Sequence, residues 1–338
     1  MKKILFFSFM LSFILTACDK DSPTIPDDPN NPNSAVDIYV VGRATKGDGY
    51  SATLWKNGVP TTITDGTNYS EANAIAIDRN DIYVAGIERN SNYDIPDEDI
   101  TKVWKNGKEL YTFGNKYFFS LIGIGISGNN VYMATQALHE YNGTTVWKNG
   151  AVMYRLENFY STSMIVYGND VYMVGYEYSG DDAVYKNETR LYTLSDGTKD
   201  AIAIKGSDIY VAGIEINSNY ERIAKIWKNG TVLYIIPNVE KLSPIMAIEG
   251  NDIYVAGVVK TQSDYKYVAK VWKNGIELYT IPCDPNATYV WSLGVVGKDV
   301  YTLFSEEPEV WKNDEKLYDL TVPYFLRSQP NSMVIVKK

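Results

Sequence analysis

Two short motifs alternate along this chain, and each occurs seven times. The first is Asp-Ile-Tyr-Val-Ala-Gly and its variants, beginning at Asp37, Asp81, Asn130, Asp170, Asp208, Asp252 and Asp299. The second is Val-Trp-Lys-Asn-Gly and its variants, with its aromatic residue at Trp55, Trp104, Trp147, Tyr185, Trp227, Trp272 and Trp311. Successive aromatics stand 49, 43, 38, 42, 45 and 39 residues apart. A period of this size constrains the fold more than any other feature, because each repeat buries its apolar faces only against its neighbours.

One unit reads Ile245-Met-Ala-Ile248, Asp252-Ile-Tyr-Val-Ala-Gly257, Val268-Ala-Lys-Val-Trp272 and Ile276-Glu-Leu-Tyr-Thr-Ile281. These four runs are rich in β-branched and aromatic residues, and turn residues bound each one, so they predict strands a, b, c and d. Short turns such as Lys205-Gly-Ser-Asp208 separate a from b. Lys-Asn-Gly separates c from d, and Asn-Gly fits a type I′ hairpin, which needs positive φ at both central residues. Each unit is therefore a four-stranded antiparallel meander.

Strands a and b are apolar on both faces, as in Ala74-Ile-Ala-Ile77 and Ile82-Tyr-Val-Ala85. A sandwich strand would expose one face and alternate. Radial blades, each covered by two neighbours, fit the pattern, and about 43 residues per unit is the length of a four-stranded blade. The expected fold is all-β, a seven-bladed β-propeller over residues 37–338. Its first unit starts at strand b, with Asp37. The last run, Asn331-Ser-Met-Val-Ile-Val336, resembles the strand a at Thr162-Ser-Met-Ile-Val166. The C-terminal strand should complete the N-terminal blade and close the ring, removing sheet edges that would attract other chains.

Residues 1–17 have the form of a signal segment: Lys2 and Lys3, then an apolar run from Ile4 to Ala17 that is short for a membrane span. Residues 18–36 follow, with prolines, asparagines and aspartates dominating, and read as a tether too polar to bury a core. The formal net charge is −9, or −11 without the two lysines, and there is no basic cluster. That argues against nucleic acid or an anionic lipid surface as a partner. The two cysteines, Cys18 and Cys283, provide no disulfide framework and no metal cluster.

Leu15-Thr16-Ala17-Cys18 resembles the bacterial lipobox. The resemblance implies cleavage before Cys18 and its acylation, with membrane contact through the lipid alone. The acidic residues after Cys18 resemble surface-export signals of Gram-negative lipoproteins, which implies the outer membrane or the cell surface. Ala-Ile-Ala-Ile-x-Gly-Asn-Asp-Ile-Tyr-Val-Ala-Gly resembles the inner strands of NHL-type repeats. The Val-Trp-Lys-Asn-Gly half is similar to repeats of uncharacterised exported propeller lipoproteins. The likeness covers residues 37–336 and implies fold and address, and it carries over no functional residue because those families share no activity.

The repeated Trp, Lys, Asn and Gly read as packing and turn requirements, since they recur in every blade. Glu188 and Asp314 replace the turn glycine in two units, and these hairpins are expected to be looser. The single histidine, His139, excludes multi-histidine metal sites, and the chain has no phosphate-binding or dinucleotide-binding glycine motif. No catalytic residue, metal ligand or cofactor is assigned. The acidic groups Asp94–Asp99, Asp181–Asp182 and Glu306–Glu309 are expected to be solvated loop charges.

In a meander the a–b and c–d turns share one face, and the b–c and d–a loops share the other. The first set is constant and the second varies, and variable loops on a rigid scaffold are where binding usually lies. The candidate ligand-binding residues on that face are Tyr50, Tyr69, Tyr93, Tyr160, Tyr178, Tyr220, Tyr265, Trp291 and Phe325. Tyrosine with asparagine and serine suits contact with a glycan or a protein. The expected function is a monomeric cell-envelope binding module for such a partner. The alternatives are a polysaccharide lyase or hydrolase that uses loop carboxylates and tyrosines, and a structural subunit of an outer-membrane assembly.

Overall fold

The computed structural model describes residues 35–46, 49–89, 99–113, 119–137, 142–194, 197–216, 218–237, 239, 241–260, 267–282, 290–304, 308–321 and 328–338. Cys18, Tyr93, His139, Tyr265, Cys283 and Phe325 lie outside them. The described residues form seven antiparallel sheets of four strands each, in the expected a-b-c-d order. The inner strands a are Ser328–Lys337, Tyr69–Asp78, Phe119–Ser127, Phe159–Tyr167, Thr198–Lys205, Lys241–Glu249 and Val290–Val296, for blades 1 to 7 in turn. Each touches the next, and the last touches the first, so the strands a form the innermost ring.

Closure is as the sequence predicts. Strand a of blade 1 comes from the C-terminus and pairs antiparallel with strand b of that blade, Val36–Lys46. The start of the first blade and the C-terminus meet there, with the Lys338 N–H donating to the Ala35 carbonyl at 3.0 Å.

The core is divided into seven clusters, one at each interface between blades. Each draws on strands of both neighbours, as where Val174, Val184 and Leu194 of blade 4 meet Ile202, Val211 and Trp227 of blade 5. The repeated aromatic is a wedge facing the preceding blade: Trp55 packs with Tyr301 and Leu320, and Trp272 with Ile226 and Ile236. Burying a ring of this size contributes about 2–3 kcal/mol, which explains its recurrence.

The two motifs are halves of one clasp. The turn asparagine takes a left-handed conformation, as at Asn57 (φ 51°). Its Oδ1 accepts from the N–H of Ile38 at 2.8 Å, its Nδ2 donates to Asp37 Oδ1 at 2.9 Å, and its own N–H donates to the Ile38 carbonyl at 2.8 Å. All seven blades repeat this, with the Oδ1 contact between 2.8 and 3.0 Å. The preceding lysine reaches the same aspartate in six blades, at 2.7 to 3.2 Å, and lies over the motif tyrosine, as Lys105 does over Tyr83 at 5.1 Å.

The two hairpins without glycine keep the common register, although the Asn313 Nδ2 contact with Asp299 lengthens to 3.4 Å. Lys186 pairs with Thr189 and Lys312 with Glu315, in the register of the other blades. The left-handed residue is the asparagine alone, at Asn187 (φ 52°) and Asn313 (φ 57°), and its side chain holds the turn.

Candidate functional site

Strand pairing reaches further toward the variable loops than the sequence suggests. Each inner strand carries a register shift near its start, as between Ser161 and Ser163 or between Lys199 and Ala201, and pairing resumes beyond it. The extra residue of such a bulge is re-aimed out of the ladder. Thr162 and Asp200 are extra residues of this kind, as are Asn73, Asn331 and Trp291. The motif glycine serves the bulge. A Cβ on Gly175 would lie 2.0 Å from the Tyr160 carbonyl oxygen, and one on Gly213 would lie 2.0 Å from that of Thr198.

Several residues expected in loops belong to strands, Tyr69 and Tyr160 because pairing continues past the bulge. Tyr50 is the second residue of strand c of blade 1, Tyr69 opens strand a of blade 2, and Tyr160 and Trp291 sit in inner strands. Tyr178 and Tyr220 lie in turns and are 78% and 92% exposed. Tyr220 is left-handed, with φ 62°, an uncommon conformation for a bulky side chain. Phe159, from the same stretch as Tyr160, is core and packs on Tyr185 at 4.4 Å.

Two groups form at this end of the ring. The first is at the closure seam. Tyr50 and Tyr69 stand 5.4 Å apart, and the Arg43 guanidinium lies over both rings. Arg43 donates to Tyr69 Oη, to Glu71 Oε2 at 2.9 Å and to Gln329. Tyr69 Oη donates to Glu71 at 2.6 Å, and Asn331 Nδ2 donates to its other oxygen at 2.7 Å. Both tyrosines are thus engaged in a latch that joins the first, second and last segments of the ring.

The second group is a cavity of about 370 Å³ between blades 4 and 5. Thr162, Gly175, Tyr176, Gly180, Asp182 and residues 197–200 line it. Tyr176 is 45% exposed and stacks on Tyr160, with centroids 5.2 Å apart and planes 14° apart. Behind it the side chain of Lys199 is fully buried. Lys199 Nζ donates to Asp182 Oδ2 at 2.7 Å and to the Gly197 carbonyl at 3.2 Å, and lies 4.9 Å from the Trp227 ring centroid. Thr162 Oγ1 donates toward the Val174 and Lys199 carbonyls. Thr198 Oγ1 donates to Asp200 Oδ2 at 2.9 Å. Burial pushes the Asp200 carboxyl above the usual carboxylate range, and the nearby Asp182 adds to the rise; Thr198 and Lys199 oppose it.

Two expected solvated acids are not solvated. Asp182 is buried by its lysine, while its neighbour Asp181 stays exposed near Arg190. Glu309 accepts from Trp311 Nε1 at 2.9 Å and from Lys316 at 2.8 Å. Both residues sit on strands, where pairing directs the side chain toward a partner. The sequence reading missed Lys199, Asp200, Thr162 and Tyr176. The available signal was a lysine and an aspartate opening an apolar run, Lys199-Asp-Ala-Ile202. Among the described residues no three His, Cys, Asp or Glu side chains gather as a metal site.

No protein-family model matches the chain, and no curated protein matches it. Solved structures do. The computationally designed protein Ika8 is 16% identical over 80% of each chain, with a TM-score of 0.50. The WD40 β-propeller domain of Doa1 is 14% identical over 81% of this chain and 88% of its own, with a TM-score of 0.52. TolB from Acinetobacter baumannii, 14% identical over 71% of this chain and 61% of its own, has a TM-score of 0.42 and adds no argument. These likenesses show the fold alone: the chain is a β-propeller.

Proposed function

We propose that this protein is a binding module that takes a glycan at the variable-loop end of the ring. The observation that carries the reading is the cavity between blades 4 and 5, where a stacked pair of tyrosines stands beside carboxylates and backbone carbonyls. Flat aromatic surface with a few convergent polar groups is the usual make-up of a small-ligand site. Tyr178 and Tyr220, in the b–c loops of blades 4 and 5, add exposed aromatic surface at the same end of the ring. The address belongs to the same proposal: lipidation at Cys18 would hold the module on a Gram-negative envelope.

The test is a glycan array probed with the full chain, followed by Tyr176→Ala and Tyr178→Ala. Binding lost in both variants supports the reading, and binding unaffected by either removes it. A protein partner remains the competing occupant, and pull-down from native envelopes with the same variants would reveal it.

One observation favours a second reading as a hydrolase. Asp182 and Asp200 line one cavity, and burial raises the Asp200 carboxyl above the usual carboxylate range. Asp182 is already committed to Lys199, which ranks this reading second. A shortened glycan product that disappears in Asp200→Asn would reverse the order.

A further inference from the structure

The cavity between blades 4 and 5 has an unequal supply of donors and acceptors. On the acceptor side stand two carboxylates, Asp182 and Asp200, while the three lining glycines, Gly175, Gly180 and Gly197, bring no side-chain donor. The lysine and threonine donors of the lining are already used. Lys199 is turned inward to Asp182, Gly197 and the Trp227 face, and no part of its side chain reaches solvent. The Thr198 hydroxyl is committed to Asp200, and the Thr162 hydroxyl to backbone carbonyls. The ionised lining carries one more negative than positive charge. Among the described residues, Asp200 accepts only the one hydrogen bond, from Thr198.

An anionic ligand would meet repulsion and few donors here. A neutral polyol would satisfy the acceptors but gain nothing from the charge. A protonated amine satisfies both, and the exposed Tyr176 ring, backed by Tyr160, offers the π-face that a cation prefers. We infer that the cavity is a site for a ligand bearing a protonated primary amine, held by the Asp200 carboxylate against the Tyr176 ring. This rests on the reading of the variable-loop end as a glycan-binding face, and within that reading it selects an amino sugar with a free amino group.

The experiment titrates the full chain calorimetrically with four sugars of one shape, glucosamine, N-acetylglucosamine, glucose and glucuronate, and with ethanolamine as an amine without a ring. Glucosamine should bind at least about tenfold tighter than glucose, the margin of one charge-assisted hydrogen bond, with glucuronate weakest. The preference should vanish in Asp200→Asn with an unchanged melting transition, and in Tyr176→Leu, which leaves the carboxylates in place. Glucose binding as tightly as glucosamine, with both lost in Tyr176→Leu, overturns the amine inference and leaves the glycan reading standing. Ethanolamine binding through Asp200 while no sugar binds removes the glycan reading and leaves the amine site. Silence from all five ligands overturns the inference.

Discussion

Asn274 illustrates how much one side chain carries in this molecule. It holds φ at 51°, accepts from the Ile253 N–H at 2.9 Å and donates to Asp252 at 2.8 Å. Asn274→Ala removes both side-chain bonds and leaves a β-carbon in a left-handed turn, so unfolding in urea should show a loss of about 2–3 kcal/mol. Asn274→Gly relieves the backbone but not the bonds, and should lose about half as much. The clasp also sets an acid limit. Burial would raise the Asp37 carboxyl, but hydrogen bonds from Asn57, Lys56 and Lys338 outweigh it and lower the pKa to about 2; the Asp81, Asp170, Asp208 and Asp252 carboxyls also lie below their ordinary range through their lysine and asparagine partners. A depressed folded-state pKa stabilises the fold at pH above the unfolded value of 3.8 and loses that contribution as pH falls toward 2. The melting temperature should therefore drop over that window, and Asp37→Asn should flatten the drop. The repeated Asp, Lys, Asn and Gly were legible as fold residues because they recur. That Asp37 and Asn57 touch was not, since only the pairing of b with c brings residues 20 apart in sequence together.

At the level of strands, the hairpins were legible from Asn-Gly turns and the a and b strands from doubly apolar runs. The bulges were not, because a bulge is one unpaired residue in a run whose composition is ordinary. The candidate cavity depends on them: Thr162 and Asp200 line it as extra residues, and Gly175 and Gly213 make room for the carbonyls before the bulges. Asp182 was misread for a related reason, since it is the first paired residue of its strand while Asp181 lies just outside it, and Asp181-Asp182 looks like any pair of loop acids. The buried pair it forms should be costly to break and cheap to replace. Lys199→Met strands the buried Asp182 charge and should cost about 3–5 kcal/mol in denaturant unfolding. Adding Asp182→Asn should recover much of that loss, and with Asp182→Asn alone and the parent the four proteins form a cycle that isolates the coupling.

For the whole molecule, seven units and their closure could be counted from the sequence, while the ligand could not, because the same ring supports many unrelated tasks. Blade 1 is the one blade built from both ends of the chain. Removing residues 328–338 takes away its inner strand, the Met333 contact with the blade 7 interface and the Arg43 latch to Gln329. The truncated chain should elute as aggregates on size exclusion and lose its single sharp thermal transition. Retained monomers with the parent melting temperature would show that closure is dispensable. The same blade also sets posture. Strand b of blade 1 starts at the end of the ring where the short turns lie, so the chain enters beside Lys338 at that end. Under the proposed lipidation at Cys18, the membrane would lie on the side of the ring where Ala35 and Lys338 meet. Tyr176, Tyr178 and Tyr220 would then face away from the bilayer, and a ligand would reach them from the surroundings rather than from within the membrane plane.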